Sequence, residues 1–548
     1  MSKHHKIEQT KFRFKKHATL GASDAETDGH FLRECFQDNG DLEQLLDLES
    51  PKRLIIGRTG AGKSALIQQI SEKENAISLD LESLTLSYVS NSDIIQFFEN
   101  LGVNLDIFYS LLWRHIFTVE LVRKKFNIDG DEVQRSFFDR LANLLTKDAK
   151  KEQALKYLRE WGEHFWKETE YRVKEFTSTL EQALSDKAGI NLHGLSFESN
   201  SAEKLSESAK AEIVHKAQKV VNEVQIKDLA KVIEVLAEDF FFDKQRPYYI
   251  TVDKLDENWA SDKIRYKLIR ALLETVRTFQ RIPGVKIVVS LRLDLLERVF
   301  EHTRSQGFQE EKYEPLYLHL RWSTSELKTL LDKRLTFLLR EQYTKRDVST
   351  DDIFPHNVNG KNAFEYMCER TFHRPRDIIL FANACLTLSE GKTSISASTI
   401  KEAEAEYSRG RLRSLADEWH ADFPNLNTYS HLLISRPTTF KFSEFTEDEV
   451  EKFIVESCSN IPEDDPIGKL GTGVIDGNRS INAFLISLIK IFYRVGLVGI
   501  KPDSFNETQW SFREKAAISD GQIKRTATIK IHPTFWRALG SQPERRNV

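Results

Sequence analysis

An α/β fold, a parallel sheet flanked by helices with a glycine-rich loop at the end of its first strand, is what this 548-residue sequence predicts. Three observations carry the prediction. The stretch Gly57-Arg58-Thr59-Gly60-Ala61-Gly62-Lys63-Ser64 fits the pattern G-x-x-x-x-G-K-[ST] at every fixed position. Its flanks suit that pattern, since Arg53-Leu54-Ile55-Ile56 reads as a short buried strand and Ala65 to Ile70 as a helix start. Further apolar runs at Ala76-Ile77-Ser78-Leu79-Asp80, Tyr248 to Val252 and Val285 to Ser290 lie among helical stretches. Strands alternating with helices imply parallel pairing, with ligand at the carboxyl ends of the strands.

Taken in order, residues 1–20 are polar and basic (Lys11, Arg13, Lys15, Lys16) and read as a flexible arm. Residues 21–325 form the α/β core, entered through helical spacing at Phe31, Leu32, Cys35 and Phe36, then at Leu42, Leu45, Leu46 and Leu48. A long helical insertion interrupts it over about residues 92–240. Thr146 to Lys187 and Ala209 to Phe241 are charged amphipathic segments separated by a polar loop from His193 to Ser208, the pattern of a helical hairpin. Residues 326–416 read as a helical lid subdomain. In residues 425–548 a helix from Ile481 to Val498 precedes two alternating segments, Gln509 to Arg513 and Thr526 to His532. Helices followed by a strand pair predict a winged-helix-like domain.

Composition narrows the function classes. The chain is 40% hydrophobic and 30% charged with a net charge of -4, so nothing draws it globally to nucleic acid or to an anionic membrane. Cys35, Cys368, Cys385 and Cys458 are far apart and form no C-x-x-C pair, which suits reduced core residues of a cytoplasmic protein. No apolar run approaches the roughly 18 residues of a membrane span. The start of the chain lacks the apolar region of a secretory signal. The fifteen histidines are dispersed with no H-E-x-x-H, and no nuclease, protease or deaminase constellation is visible.

The motif chemistry is that of a nucleoside triphosphate site. Glycines at 57, 60 and 62 let the backbone turn tightly and aim N–H groups at phosphate oxygens, with Arg58, Thr59, Ala61 and Ala65 completing the cradle and the helix N-terminus adding its dipole. Lys63 can reach the β- and γ-phosphates, and the Ser64 hydroxyl can join a Mg²⁺ ion. The strand Tyr248 to Val252 ends at Asp253, a Walker B position that can hold the metal and its water beside Ser64. Lys254 stands where a catalytic Glu is common, so the base that orients the attacking water is expected at Asp256 or Glu257. Arg292 closes the next strand, where it can stabilise developing γ-phosphate charge or pair with Asp294 or Glu297. Arg374, Pro375 and Arg376 open an apolar helix, and the two arginines can face phosphate. A plain solvated helix start is the competing account.

With these motifs in place, the chain resembles the STAND/AAA-related branch of P-loop ATPases. G-R-T-G-A-G-K-S with D-K-L-D-E and H-R-P-R-D is similar to bacterial P-loop ATPases associated with defence loci. The resemblance covers about residues 21–390 and implies ATP and Mg²⁺ as ligands. It implies a proline, Pro375, against the adenine and a sensor arginine at Arg374 or Arg376. It also implies a winged-helix histidine touching the β-phosphate, for which His532 stands in, although Pro533 follows it where aspartate is usual; the alternative packs His532 on Trp536. The expected mode of action is a nucleotide switch, with ATP between the core and the helical subdomain, controlling an effector protein encoded nearby. A homo-oligomer and DNA contact through the C-terminal domain are further expected partners. Residues 501–548 carry nine Lys/Arg against five Asp/Glu, an excess that permits the DNA contact. A DNA-loading initiator-type ATPase and an ATP-bound scaffold without turnover are the alternatives.

Overall fold

A computed structural model of the chain describes residues 13–81, 86, 89, 91–126, 177–178, 182, 207–208, 210–211, 213–215, 217, 240–257, 259–303, 310–340, 346–458, 465–513 and 518–542. Two compact units emerge: Asp38–Arg58 with Lys63–Leu320, and Met1–Gln37 with Thr59–Gly62 and Arg321–Val548. The helical hairpin expected over residues 146–241 lies almost wholly outside the described residues.

The first unit is α/β. In chain order its elements are α1 (Asp41–Leu46), β1 (Leu54–Gly57), α2 (Lys63–Ser71), β2 (Ala76–Leu79), α3 (Asp93–Asn100), α4 (Asp106–Phe126), β3 (Tyr248–Val252), α5 (Asp262–Phe279), β4 (Val285–Arg292), α6 (Leu293–Thr303) and β5 (Tyr317–His319). The five strands form one sheet in the order β2-β3-β4-β1-β5, parallel at every pairing. Strands β1 and β3 are buried at every position and β4 at all but its last. They therefore read as continuous apolar runs rather than as alternating ones. Three hydroxyls tie α2 to the sheet, with Ser71 Oγ and Ser78 Oγ 3.2 and 3.1 Å from Thr251 Oγ1. The Trp113 indole of α4 donates to the Leu268 carbonyl of α5 at 2.8 Å, inside the main hydrophobic cluster. Strand β5 escapes a reading by pattern because it has only three residues and follows Glu314-Pro315 without alternation.

One side chain breaks the apolar run of β4. Lys286 is fully buried, and its ammonium donates to the carbonyls of Gln44, Asp47 and Ser50 at 2.9, 2.5 and 3.2 Å. It closes the carbonyl end of α1, where a cation is favoured.

The second unit has two hydrophobic clusters. One is built on α7 (Thr324–Arg340), α8 (Ala363–Cys368), α9 (Pro375–Thr387) and the first half of α10 (Ala397–Glu418). Part of the stretch expected as a free basic arm belongs here. Phe14 and Leu20 are buried, and the Phe14 N–H donates to Lys392 O at 2.9 Å. Two apolar side chains outweigh the basic residues around them. The Asp28–Arg334 ion pair and the Leu20 N–H on Asn383 Oδ1 (2.8 Å) hold the same segment to α7 and α9.

The other cluster joins the end of α10 to β6 (Thr439–Lys441), α11 (Glu447–Cys458), α12 (Pro466–Ile475), α13 (Ile481–Val495), β7 (Val498–Lys501) and β8 (Thr528–Ile531). The strands form an antiparallel sheet in the order β6-β8-β7. Two expectations need correction. Helix α13 stops at Val495 rather than Val498, because Gly496 takes φ +87° and ends it with a left-handed cap. Gln509–Arg513 is not a strand, since only Gln509 bridges to Ile500, and the partners of β8 are Thr439–Lys441 and Val498–Lys501. The swap has a packing cause. A Cβ on Gly499 would lie 2.7 Å from Trp510, so the bare glycine strand forms the ladder and the Trp510 ring covers it.

Candidate functional site

In the α/β unit the strand ends gather the expected acids and cations. Pairing in register sets Gly57 of β1 beside Arg292 of β4, and Val252 of β3 beside Val289. Asp253, which follows β3, therefore emerges at the same edge of the sheet as Gly57 and Arg58. The chain turns at once after Asp253 because Lys254 takes φ +61°, a left-handed conformation costly for a side chain with a Cβ. Leu255 is then buried, its carbonyl accepts from Trp259 Nε1 at 3.1 Å, and the Glu257 N–H donates to Lys254 O at 3.1 Å.

The turn separates the two candidate bases. Both acids are exposed, but Asp256 lies 3.2 Å from Arg292 Nη1, whereas Glu257 pairs with Lys254 at 3.7 Å. Arg292 also grips Asp294 with two bonds, Nε to Oδ1 at 3.0 Å and Nη2 to Oδ2 at 2.8 Å. Asp294 was not singled out in the motif reading except as a competing partner for Arg292. Its place two residues after a strand-ending arginine was the available signal. Lys63 donates to the Arg58 carbonyl at 3.1 Å. Burial pushes the Lys63 ammonium below its ordinary pKa, opposed by the carboxylates facing it, Asp256 first and then Asp253.

In the other unit, three successive carbonyls of the loop are held by hydrogen bonds. Arg374 Nη1 donates to Thr59 O at 2.5 Å, the Arg376 N–H to Gly60 O at 3.3 Å, and Trp322 Nε1 to Ala61 O at 2.8 Å. In a planar trans peptide the N–H of the next residue points opposite to the carbonyl. Fixing these three carbonyls therefore turns the following N–H groups, those of Gly60, Ala61 and Gly62, each away from the donor that holds its own peptide. Gly60 (φ +77°) and Gly62 (φ +102°) allow this path, and a Cβ on Gly60 would sit 2.6 Å from that of Arg376. Trp322 carries no motif that would reveal its role.

Arg374 is 4% exposed, and its guanidinium is committed to protein groups. Besides Thr59 O it donates through Nε to Asp377 Oδ2 at 2.9 Å, with Glu418 at 4.0 Å. Asp377 is completely buried, accepts the Phe372 N–H at 3.0 Å and pairs with Arg411 at 3.3 Å. Burial opposes its charge, but Arg374 and Arg411 prevail and hold its pKa down to about 2. For Arg374 burial is likewise outweighed, by Asp377 and Glu418, so its pKa is raised. Pro375 opens α9, and Arg376 donates to Ser23 O at 3.0 Å. His532 is buried in an aromatic cage, stacked on Phe372 at 4.5 Å with Trp510, Phe512 and Phe535 around it. Its Nδ1 accepts the Thr534 N–H at 3.2 Å.

A strand, a glycine loop and a helix embedded in a parallel sheet with flanking helices match a P-loop NTPase-like fold. All four cysteines are buried and free, and no helix among the described residues is long and apolar enough to cross a membrane. Comparison with known proteins adds three findings. Residues 325–416 match a family described as a FunZ-associated C-terminal helical domain. Over 541 residues the chain is 21% identical to an 80.3 kDa Escherichia coli (strain K12) protein named for the transposon gamma-delta. That match takes in 95% of this chain, which spans 66% of the length of that relative. Among solved structures, a Walker-type ATPase of Pyrococcus abyssi aligns with 92% of this chain and 96% of its own, at 12% identity and a TM-score of 0.36.

Proposed function

We propose that this chain is a Mg²⁺-dependent ATPase of the STAND/AAA-related kind, acting as a nucleotide switch. The observation that carries this reading is the loop from Thr59 to Gly62, with three successive carbonyls held by Arg374, Arg376 and Trp322 and the N–H opposite each left for an anion. A second observation fits a ligand there: Thr59 Oγ1 is buried and makes no hydrogen bond. Lys63 would leave the Arg58 carbonyl for the β- and γ-phosphates, a stronger, charge-assisted partner. The Ser64 hydroxyl and the Asp253 carboxylate are the oxygen donors for Mg²⁺, a set that suits a hard cation completing its shell with water and phosphate oxygens. Bound there, the metal would neutralise charge developing on the transferred phosphoryl group.

Between the two candidate bases the reading favours Asp256. It is the leading acidic influence on Lys63 and sits beside Arg292, whereas Glu257 pairs with Lys254. Arg292, braced by Asp294, would hold Asp256 until γ-phosphate competes for the guanidinium. Arg374 is assigned as a positioning residue for the loop; the adenine contact of Pro375 and the phosphate contact of Arg376 rest on the resemblance. The order β6-α11-α12-α13-β7-β8 with its antiparallel sheet supports a winged-helix-like domain. Control of an effector protein in anti-phage defence is the biological role attached to this reading, in a cytoplasmic setting.

The test is ATP titration and phosphate release on the full chain. Lys63→Ala should weaken ATP binding by about tenfold or more, the scale of a lost charged contact. Asp253→Ala should weaken only the Mg²⁺-dependent part of binding. Asp256→Asn should keep ATP bound and stop turnover, with Glu257→Gln largely active. Wild-type affinity in Lys63→Ala would refute the site. Full turnover in Asp256→Asn would refute its role as base.

A further inference from the structure

Beside β8 lies a cavity of about 300 Å³, at the small end of the range for small-molecule sites. Three stretches distant in sequence build it. His373 comes from the turn before α9; Trp510, Phe512 and Arg513 come from the connection after β7; Lys530 and Trp536 come from β8 and the turn that follows.

The lining combines two kinds of group. Trp510 and Phe512 stand 5.6 Å apart at 45°. Trp536 has its indole N–H directed at Ile531 O (2.8 Å), so what it offers the cavity is ring surface rather than a donor. The Arg513 guanidinium lies 5.7 Å over the Phe512 ring and 3.4 Å from His373 Nε2. Burial first, and Arg513 second, keep that imidazole below its ordinary pKa, which makes it an acceptor for Arg513. The one carboxylate in the lining, Glu369, is paired with Lys361. Arg513 and Lys530 have no carboxylate within ion-pair distance among the described residues. The cavity is therefore aromatic on its walls and positive in net charge.

An apolar ligand would leave the two cations without a counter-ion among the described residues, and a simple anion would leave the rings uncovered. We infer that this cavity holds an unpaired nucleotide, its base stacked on Phe512 or Trp536 and its phosphate on Arg513 and Lys530. Aromatic faces joined to arginine and lysine are the groups that take bases without regard to sequence, and arginine stacked on a ring adds to the same surface. The source of the nucleotide is either a single strand or a free monophosphate, and the probes separate them.

The experiment measures binding to the full chain of a fluorescent ten-nucleotide thymidine strand, by anisotropy, and of thymidine monophosphate, by calorimetry. Binding of the strand alone assigns a single-stranded nucleic acid, and binding of both with like affinity assigns the free nucleotide. In either case the Arg513→Glu/Lys530→Glu double variant should lose about tenfold or more in affinity, as two charge-assisted contacts become repulsions. Phe512→Ala should lose about five- to tenfold, the scale of one stacked base, with a melting curve to show that it remains folded. Binding must also persist in Lys63→Ala, since neither probe carries a triphosphate. The inference is overturned if neither probe binds, if the double variant binds as wild type does, or if Lys63→Ala abolishes binding.

Discussion

Asp377→Asn changes one oxygen to nitrogen at a completely buried position and should be among the most damaging single substitutions in this chain. The carboxylate holds Arg374 at 2.9 Å and Arg411 at 3.3 Å and accepts the Phe372 N–H at 3.0 Å. An amide can still accept that N–H, but it leaves two buried guanidiniums short of a counter-ion. Breaking a buried pair from one side costs about 3–5 kcal/mol. The pKa, held down to about 2, gives a smaller figure. A depression of about 2 units corresponds to roughly 2–3 kcal/mol between charged and neutral carboxyl. The larger figure applies to the substitution, because it includes the stranded arginines. The sign for pH follows from the depression. The stabilisation is complete above the unfolded value near 4 and is lost as pH falls from about 5 toward 2. Calorimetric melts should therefore show the transition containing residues 371–380 lowered by roughly 6–20 °C at pH 7. The gap between wild type and variant should narrow on acidification. Because Arg374 also holds Thr59 O, ATP affinity should fall about tenfold, as for a charged hydrogen bond. An unchanged melt would refute the network argument. A lowered melt with wild-type ATP affinity would refute the support of the loop by Arg374.

Gly60→Ala should weaken ATP binding by about tenfold or more in a nucleotide titration, since φ +77° and a 2.6 Å approach to Arg376 together impose strain of roughly 1–3 kcal/mol. Trp322→Phe keeps the ring but removes the donor to Ala61 O, and should reduce ATP affinity about three- to tenfold, the scale of one neutral hydrogen bond. Burial pushes Lys286 down to about 7 from an unfolded value near 10.4, so the unfolded chain binds more protons in between. Wild-type stability against urea, relative to Lys286→Met, should accordingly rise between pH 7 and 9 by about 1 kcal/mol per unit. A difference independent of pH would show that the three carbonyls keep the ammonium charged throughout.

Much of the site was legible where the chemistry is local in sequence. The strand, the glycine loop and the helix follow one another within some twenty residues, and the structure has all three in that order. The parallel strands were legible because buried β-branched runs are long enough to stand out. What stayed hidden was long-range. Nothing around Trp322 announces that its indole meets the Ala61 carbonyl, 261 residues away. The strand reading of Gln509–Arg513 failed because aromatic alternation marks a half-buried surface, whether that surface is a strand or a cover lying over one. The arginines of H-R-P-R-D were read for phosphate because cations at a helix start are electrostatically misplaced. Asp377, one residue beyond Arg376, supplies the missing reason, since it neutralises Arg374 and lies in the first turn where an anion is favoured.

That neutralisation bears on how the loop works. A cation aimed at phosphate directly would bind whichever anion arrived, and its contribution would depend on the ligand. A cation held by Asp377 and aimed at a carbonyl acts without the ligand present. Through the rigid peptide plane it sets the direction of the Gly60 N–H, and the Arg376 and Trp322 donors do the same for Ala61 and Gly62. Such an arrangement reduces the ordering that an anion would otherwise have to impose on a glycine-rich loop, and ordering is a large part of what binding costs. It also gives the segment around α9 a differential interest in the shape of the loop. Any ligand that changes that shape must then shift the Arg374–Asp377–Arg411 network by the free energy of those contacts, and by no more.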